Sequence, residues 1–534
     1  MKNHLILLIF FIAGCLPMFS QSTDWAWAKA IPGGTSDRGH DIVTDRWGNV
    51  YITGAFGSSL TVSGQTTWVD GYDDVFLIKL DPAGNVIWLR TVGSSGYDEG
   101  RGIGVDTLGN VYIAGSLDLE NVFIAKYDSS GTQKWQKSPA ANGTVRCYDL
   151  AVDAVGNSWV TGNYLSNGLT FGSDVLPATN GNGAVFIAKY DSAGNALWGR
   201  SADGPSIDKG WALAAGRNGE VYAAGSYTGV SLTFFDSPDT TITTKGAIDM
   251  FVVKYDSSGV LQWAQSLGGR GSDQPNGLAT DEKGNFYLTG YYQDTLRLDS
   301  ITLLNVSGSN IFLAKFDSVG KVVWAHNPSG PGLNFGMRVN ADKWGRVMLA
   351  GYFGSITLRF DSTTTLIKNG SNSTANVDMF VALYDTAGVF HWAKGAGGNG
   401  TEYGYGVTSD STGAVYLTGS CNTLNFSVGS FPISTTGSSD IFIAKVVENT
   451  TGLEESVYDN LLKIYPNPGN GRFWLDFPHS ARQVVITNAL GQVIITQNIF
   501  RQTSLEVEIS QPGIYAVRID CGEKAYSRKL VVQP

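Results

Sequence analysis

Two sets of seven residues recur in step along the chain, three positions apart. The first is Asp37, Asp98, Val145, Asp208, Asp273, Asn334 and Glu402; the second is His40, Arg101, Tyr148, Trp211, Asn276, Met337 and Tyr405. Five of the first seven are acidic. Carboxylates repeated at one place could surround a cation such as Ca2+, or supply acid and base for an extracellular hydrolase or lyase. They could equally cap backbone N–H groups within their own loops, as a staple used once per repeat. The second set diverges while its neighbours recur, so it is free of scaffold duty. Aromatics mixed with polar groups suit stacking on sugars or peptides, and the plainer alternative is that they fill a channel. No Gly-x-Ser-x-Gly elbow, His-Glu-x-x-His pair or phosphate-cradling glycine loop occurs, and there are only five histidines. Turns such as Asp281-Glu282-Lys283-Gly284 lack the length and terminal Glu of an EF-hand loop. No catalytic residue or metal ligand is therefore assigned. Ca2+ at the acidic set is the one cofactor left open.

The elements that must position these residues are strands. Gly48-Asn49-Val50-Tyr51-Ile52-Thr53-Gly54 recurs at Gly109, Gly156, Gly219, Gly284, Gly345 and Gly413. A Val-Phe-x-x-Lys segment at Val75–Lys79 recurs around Phe123, Phe186, Phe251, Phe312, Phe380 and Phe442. A tryptophan just after a turn recurs as Trp88, Trp135, Trp198, Trp263, Trp324 and Trp392. A fourth segment, Gly102–Asp106 in one copy, precedes the first. Each is a short β-prone run bounded by turns such as Asp81-Pro82-Ala83-Gly84, so the unit is four antiparallel strands. Repeat length varies mainly between the Tyr strand and the Phe strand, which predicts variable loops there. Four-stranded units repeated with a small rotation predict a β-propeller. The last unit lacks a tryptophan strand, while Trp25-Ala26-Trp27-Ala28-Lys29 stands alone before the first. Joining them predicts seven blades closed by the N-terminal strand, over residues 21–448.

Composition agrees with this all-β reading. The chain has 534 residues, 67 of them glycine, with only 16% charged and a net charge of −10. Abundant aromatics exclude disorder, and the acidic balance argues against a nucleic-acid partner. Residues 1–20 read as a signal peptide with Lys2 and an apolar Leu5–Ala13 run, cleaved after Ser20. The rival is a lipobox at Ile12-Ala13-Gly14-Cys15, with lipidation at Cys15. No other segment is long and apolar enough to span a bilayer. Cys147, Cys421 and Cys521 are too few and too scattered for a disulfide framework. Residues 449–461 read as a polar linker. Six β runs from Phe473 to Val532 predict a small β-sandwich over 462–534.

The repeated Gly-Asn-Val-Tyr and Phe-x-x-Lys strands resemble the SBBP-type β-propeller repeat of secreted bacterial proteins, over about residues 24–448. Gly216, Leu383 and Val446 depart from that pattern. Tyr465-Pro466-Asn467-Pro468, the Gly491-Gln492-Val493 turn, Gly513-Ile514-Tyr515 and Lys529–Val532 resemble the C-terminal sorting domain of the Bacteroidetes type IX secretion system. That resemblance implies engagement of the type IX machinery through residues 462–534. Export, removal of the domain and release or surface attachment would follow. The expected protein is a secreted or cell-surface binding or adhesion module, its ligand a glycan or a protein. The alternatives are a hydrolase or lyase using the propeller carboxylates, or a structural surface-layer component.

Overall fold

In a computed structural model, residues 22–449 and 462–533 are described, apart from 63, 180–181, 306, 371–375, 425, 437, 478–480, 489–491, 501 and 522–524. The signal peptide, Cys15, nearly all of the linker and the start of the Gly491 turn lie outside the described residues. The chain divides into two compact units, one spanning Trp25–Val447 and the other containing the C-terminal segment from Glu448.

Strand pairing in the first unit repeats a row of four antiparallel strands, with the short strands of the inserts beside these rows. The inner strands are Arg38–Thr44, Glu99–Val105, Ala140–Val152, Asp208–Ala215, Gln274–Thr280, Gly332–Ala341 and Glu402–Ser409. Each inner strand touches the next, and Glu402–Ser409 touches Arg38–Thr44, so the ring closes. The unit is an all-β propeller. Strand Ser22–Ile31 pairs with Asp440–Asn449 and completes the last row, burying Trp25. A propeller closed this way leaves no long open edge between its first and last rows.

The repeated tryptophan has a specific duty. Indole Nε1 of Trp88, Trp135, Trp198 and Trp324 donates to Ser129, Ser192, Ser257 and Thr386 carbonyls at 3.1–3.2 Å, joining each outer strand to the next row's turn. Lys79, Lys189 and Lys315 donate to the same turns at 2.8–3.0 Å and lie over Tyr51, Trp159 and Tyr287 rings. These buried cation–π contacts explain why Lys recurs in an otherwise apolar strand. Leu383 breaks the pattern where the next row offers no such turn, because Asp440–Asn449 runs on out of the unit.

The variable inserts are not simple loops. Ser231–Phe234 and Thr240–Thr243 form a hairpin that pairs with the previous row's outer strand, Ala196–Asp203. Thr295–Leu298 and Ile301–Leu304 do the same to Leu261–Gly269. Outer edges are thereby covered by the neighbour's insert.

The C-terminal unit has a three-stranded sheet, Lys463–Tyr465, Arg472–Asp476 and Ser504–Glu508, and a four-stranded sheet containing Gln483–Asn488 and Gly513–Asp520. Their apolar faces meet around Phe473, Ile486, Val517 and Leu530. Lys463–Tyr465 is a strand absent from the six sequence runs.

Candidate ligand-binding site

Every inner strand carries a β-bulge, and the bulged residue is in each case a member of the variable set. Pairing passes from Gly39 to Asp41, skipping His40, and from Gly100 to Gly102, skipping Arg101. It likewise skips Tyr148, Trp211, Asn276, Met337 and Tyr405. A bulge adds one unpaired residue and re-aims its side chain. Here all seven side chains are turned into one cavity of about 540 Å³, together with Arg38, Gln274, Arg338, Tyr403 and several hydroxyl-bearing residues.

Within this bowl Tyr148 and Trp211 lie 4.5 Å apart between ring centroids, with the Lys209 ammonium 5.1 Å from the indole. Trp211 Nε1 donates to Ser226 Oγ at 2.8 Å. Opposite them in the ring order, Tyr403 and Tyr405 are stacked at 5.6 Å and His40 leans on Tyr405 at the same distance. Gln274 Nε2 donates to Asn276 Oδ1, whose own amide donates to the Gly336 carbonyl. Burial first, then the charges of Arg101 and Arg38, holds His40 well below the usual imidazole range, so it is neutral. Burial and the neighbouring Tyr403 push Tyr405 up to about 12.

The acidic set lies elsewhere. Asp37, Asp98, Asp208, Asp273, Glu402 and the neutral Asn334 are fully buried. Each accepts from backbone N–H groups of its own loop, of the loop one hairpin later, or of both. Asp98 accepts from the Ser94 and Asp118 amides, Asp273 from Gly269 and Gln293, and Glu402 from Gly398. Asp37 accepts from Gly57 and Asp208 from Thr228. Asn334 accepts from Ser355 and donates to the Gly330 carbonyl. The arrangement is that of loop staples. Burial lifts Asp37, Asp208, Asp273 and Glu402 to about 7 against the opposing pull of those amides. Among the described residues no cluster of three or more His, Cys, Asp or Glu side chains is placed to hold a metal ion.

Sequence reasoning missed the floor of the bowl. Arg338 reaches across the hub from one row to two others, with Nε 3.1 Å from Asp41 Oδ1, Nη2 against Asp41 Oδ2 and Nη1 3.0 Å from Asp149 Oδ1. The same carboxylates accept the Ile103 and Leu213 amides at 3.2 and 2.7 Å. All three residues immediately follow a bulge. The other residues at that position are Gly102, Ala212, Gly277 and Gly406, where the strands converge too closely for more. A Cβ added at Gly277 would sit 2.9 Å from Arg338 Cα. One Arg and two Asp among small residues at a single repeat position was the available signal.

Comparison with known proteins accords with both units. Residues 87–116 and 262–291 match the family model described as a β-propeller repeat, and 463–533 match that of a secretion system C-terminal sorting domain. The first unit thus contains SBBP-type β-propeller repeats and the C-terminal segment a type IX sorting domain. That tail implies an interaction with the type IX machinery and directs the protein to the cell surface or extracellular space. Among the described residues no helix is long and apolar enough to cross a membrane. An uncharacterized WD repeat-containing protein, L264, of Acanthamoeba polyphaga mimivirus is 23% identical over 386 residues, 64% of this chain and 26% of that protein. The regulatory protein FlaEY of Caulobacter vibrioides is 32% identical over 110 residues, 21% of this chain and 12% of that protein. The matched regions thus span about a quarter or less of these relatives' lengths. The Neurospora crassa Pan2 WD40 domain, at 11% identity and a TM-score of 0.41, aligns over 80% of this chain and 96% of that one.

Proposed function

We propose that this secreted propeller is a binding or adhesion module whose bowl takes a glycan at the cell surface. The observation that carries the reading is the convergence of seven bulged side chains, one per row, on a single cavity. Paired aromatic rings offer faces for the C–H side of a sugar ring, while Gln274, Asn276, Asn422 and a set of serines offer donors and acceptors for hydroxyls. The buried acidic set is committed to backbone amides, and no Asp or Glu lines the bowl among the described residues, so carboxylate acid–base catalysis has no group there. The test is a glycan and protein array probed with the mature protein, followed by turnover assays on every hit. Sugar binding without turnover is expected, reduced at least tenfold by Trp211→Ala and by Tyr405→Ala. Full binding by both variants would refute the site, and turnover would refute the binding-only reading.

A further inference from the structure

The bowl is chemically two-sided. Two residues before each bulge stand Arg38, Glu99, Arg146, Lys209, Gln274, Phe335 and Tyr403 in chain order. At this position and at the bulge itself, the first four rows supply Arg38, Arg101, Arg146 and Lys209, with Glu99 the one carboxylate among them, and of these cations Arg38 and Arg101 line the cavity. The last three supply only amides, aromatics and Met337. A chain of net charge −10 thus brings Arg38 and Arg101 to one side of a cavity whose described lining includes no Asp or Glu.

The balance of charge can be followed residue by residue. Arg338, in the floor, is already engaged by Asp41 and Asp149. Arg38 and Arg101 share a single close partner, Glu99, which contacts the Arg101 Nη2 directly and lies 3.9 Å from Arg38 Nη1. Asp73 adds negative charge within electrostatic reach of Arg38. Arg146 and Lys209 stand at the same repeat position but outside the described cavity lining, Arg146 donating to the Leu119 carbonyl and Lys209 held over Tyr148 and Trp211. Between the two guanidinium groups lies His40, whose Nε2 is buried without a hydrogen-bond partner among the described residues. Guanidinium groups accept a planar acid in two-point fashion, and an aromatic wall opposite binds the ring that carries it.

Resting on the glycan reading above, we infer that the ligand is an acidic glycan, with a sugar carboxylate or sulfate at Arg38, Arg101 and His40 and the sugar ring against the aromatic side. The full mature protein would be titrated calorimetrically with an oligogalacturonate, its methyl-esterified counterpart, a sulfated oligosaccharide and its desulfated counterpart. Binding of either acidic sugar at least tenfold tighter than its neutral partner is expected, and which acid binds identifies the anion. The preference should shrink as salt rises, since exposed charges are screened. Arg101→Gln should weaken acidic binding about tenfold, roughly 1.4 kcal/mol. Glu99→Gln, which releases both guanidinium groups, should strengthen it. That gain separates recognition from a merely structural role for these residues. Equal affinity for acidic and neutral sugars would overturn the inference while leaving the glycan reading intact. Binding of an acidic peptide but of no sugar would overturn the glycan class. Absence of binding to every probe would overturn both.

Discussion

Arg338 offers the sharpest test of how the hub is held together. Its guanidinium lies between Asp41 and Asp149, whose side chains are 5% and 1% exposed. Truncation to alanine leaves both nearly buried carboxylates without their counter-charge. Removing one partner from such a buried pair costs about 3–5 kcal/mol. At about 2.1 cal/mol/K of unfolding entropy per residue, a propeller unit of roughly 420 residues would then melt about 3–6 °C lower. The loss should depend on pH. Burial already pushes Asp149 up to about 6, against the pull of Arg338. Without Arg338, the Asp149 carboxyl loses the charge that opposes burial and lies further above its unfolded value, so its protonation favours the fold. That stabilising proton is fully present below about pH 4 and is lost as pH rises. Scanning calorimetry on Arg338→Ala should show a larger deficit at pH 8 than at pH 5, and adding Asp41→Asn with Asp149→Asn should recover much of it. A variant melting within about 1 °C of wild type at both pH values, with no coupling in the double-mutant cycle, would refute the ion-pair account of the floor.

Other consequences follow from the staples, the closing strand and the tail. Asp208 sits near 7 in the fold against an ordinary 3.8, because burial outweighs its amide donors, so its contribution is complete below about pH 4 and lost by about pH 7. Asp208→Asn should flatten that part of the stability profile in urea titrations, and an unchanged slope would count against the assignment. Trp25, 6% exposed and packed in the last row, should cost about 3–5 kcal/mol on change to alanine. Deleting Ser22–Ile31 should expose the edge of Asp440–Asn449 and produce oligomers by light scattering; a monomer melting like wild type would contradict closure. Removal of 462–534 should leave the propeller's melting unchanged yet retain the protein in the periplasm. Normal surface delivery would contradict the sorting assignment.

Strands, turns and closure were legible because they rest on local rules that repetition amplifies. Asp45, Asp106 and Asp281 each bind the amides two and four residues on, so Asp-x-x-Gly-Asn announces its turn wherever it stands. The acidic and variable sets were visible by the same comparison, and their separation into buried staples and cavity lining follows from a three-residue offset. The bulges were hidden, since an extra residue in a strand leaves no mark beyond a break in alternation, and inner strands as short as Arg38–Thr44 give that break little room to show. The insert hairpins were hidden for another reason: their pairing partner is the previous row's outer strand, which sequence order does not bring near.

The bulge also explains why one position can vary while the scaffold does not. Side chains along an inner strand face the neighbouring rows in turn, and a slip of one residue would exchange those faces throughout the strand. Inserting a residue at His40, Arg101 or Trp211 without exchanging them requires that it leave the ladder, which the skipped pairing records. The flanking residues are then bound by convergence: Gly39, Gly100, Gly210, Gly336 and Gly404 precede the bulge, and the small or ion-paired residues follow it. The bulged side chain leaves the ladder and faces the cavity, where it meets its neighbours at the other bulges. Its chemistry can therefore change from imidazole to indole to thioether with little effect on the ring, which is why the proposed ligand site is placed at the seven bulges and not at the buried carboxylates beside them.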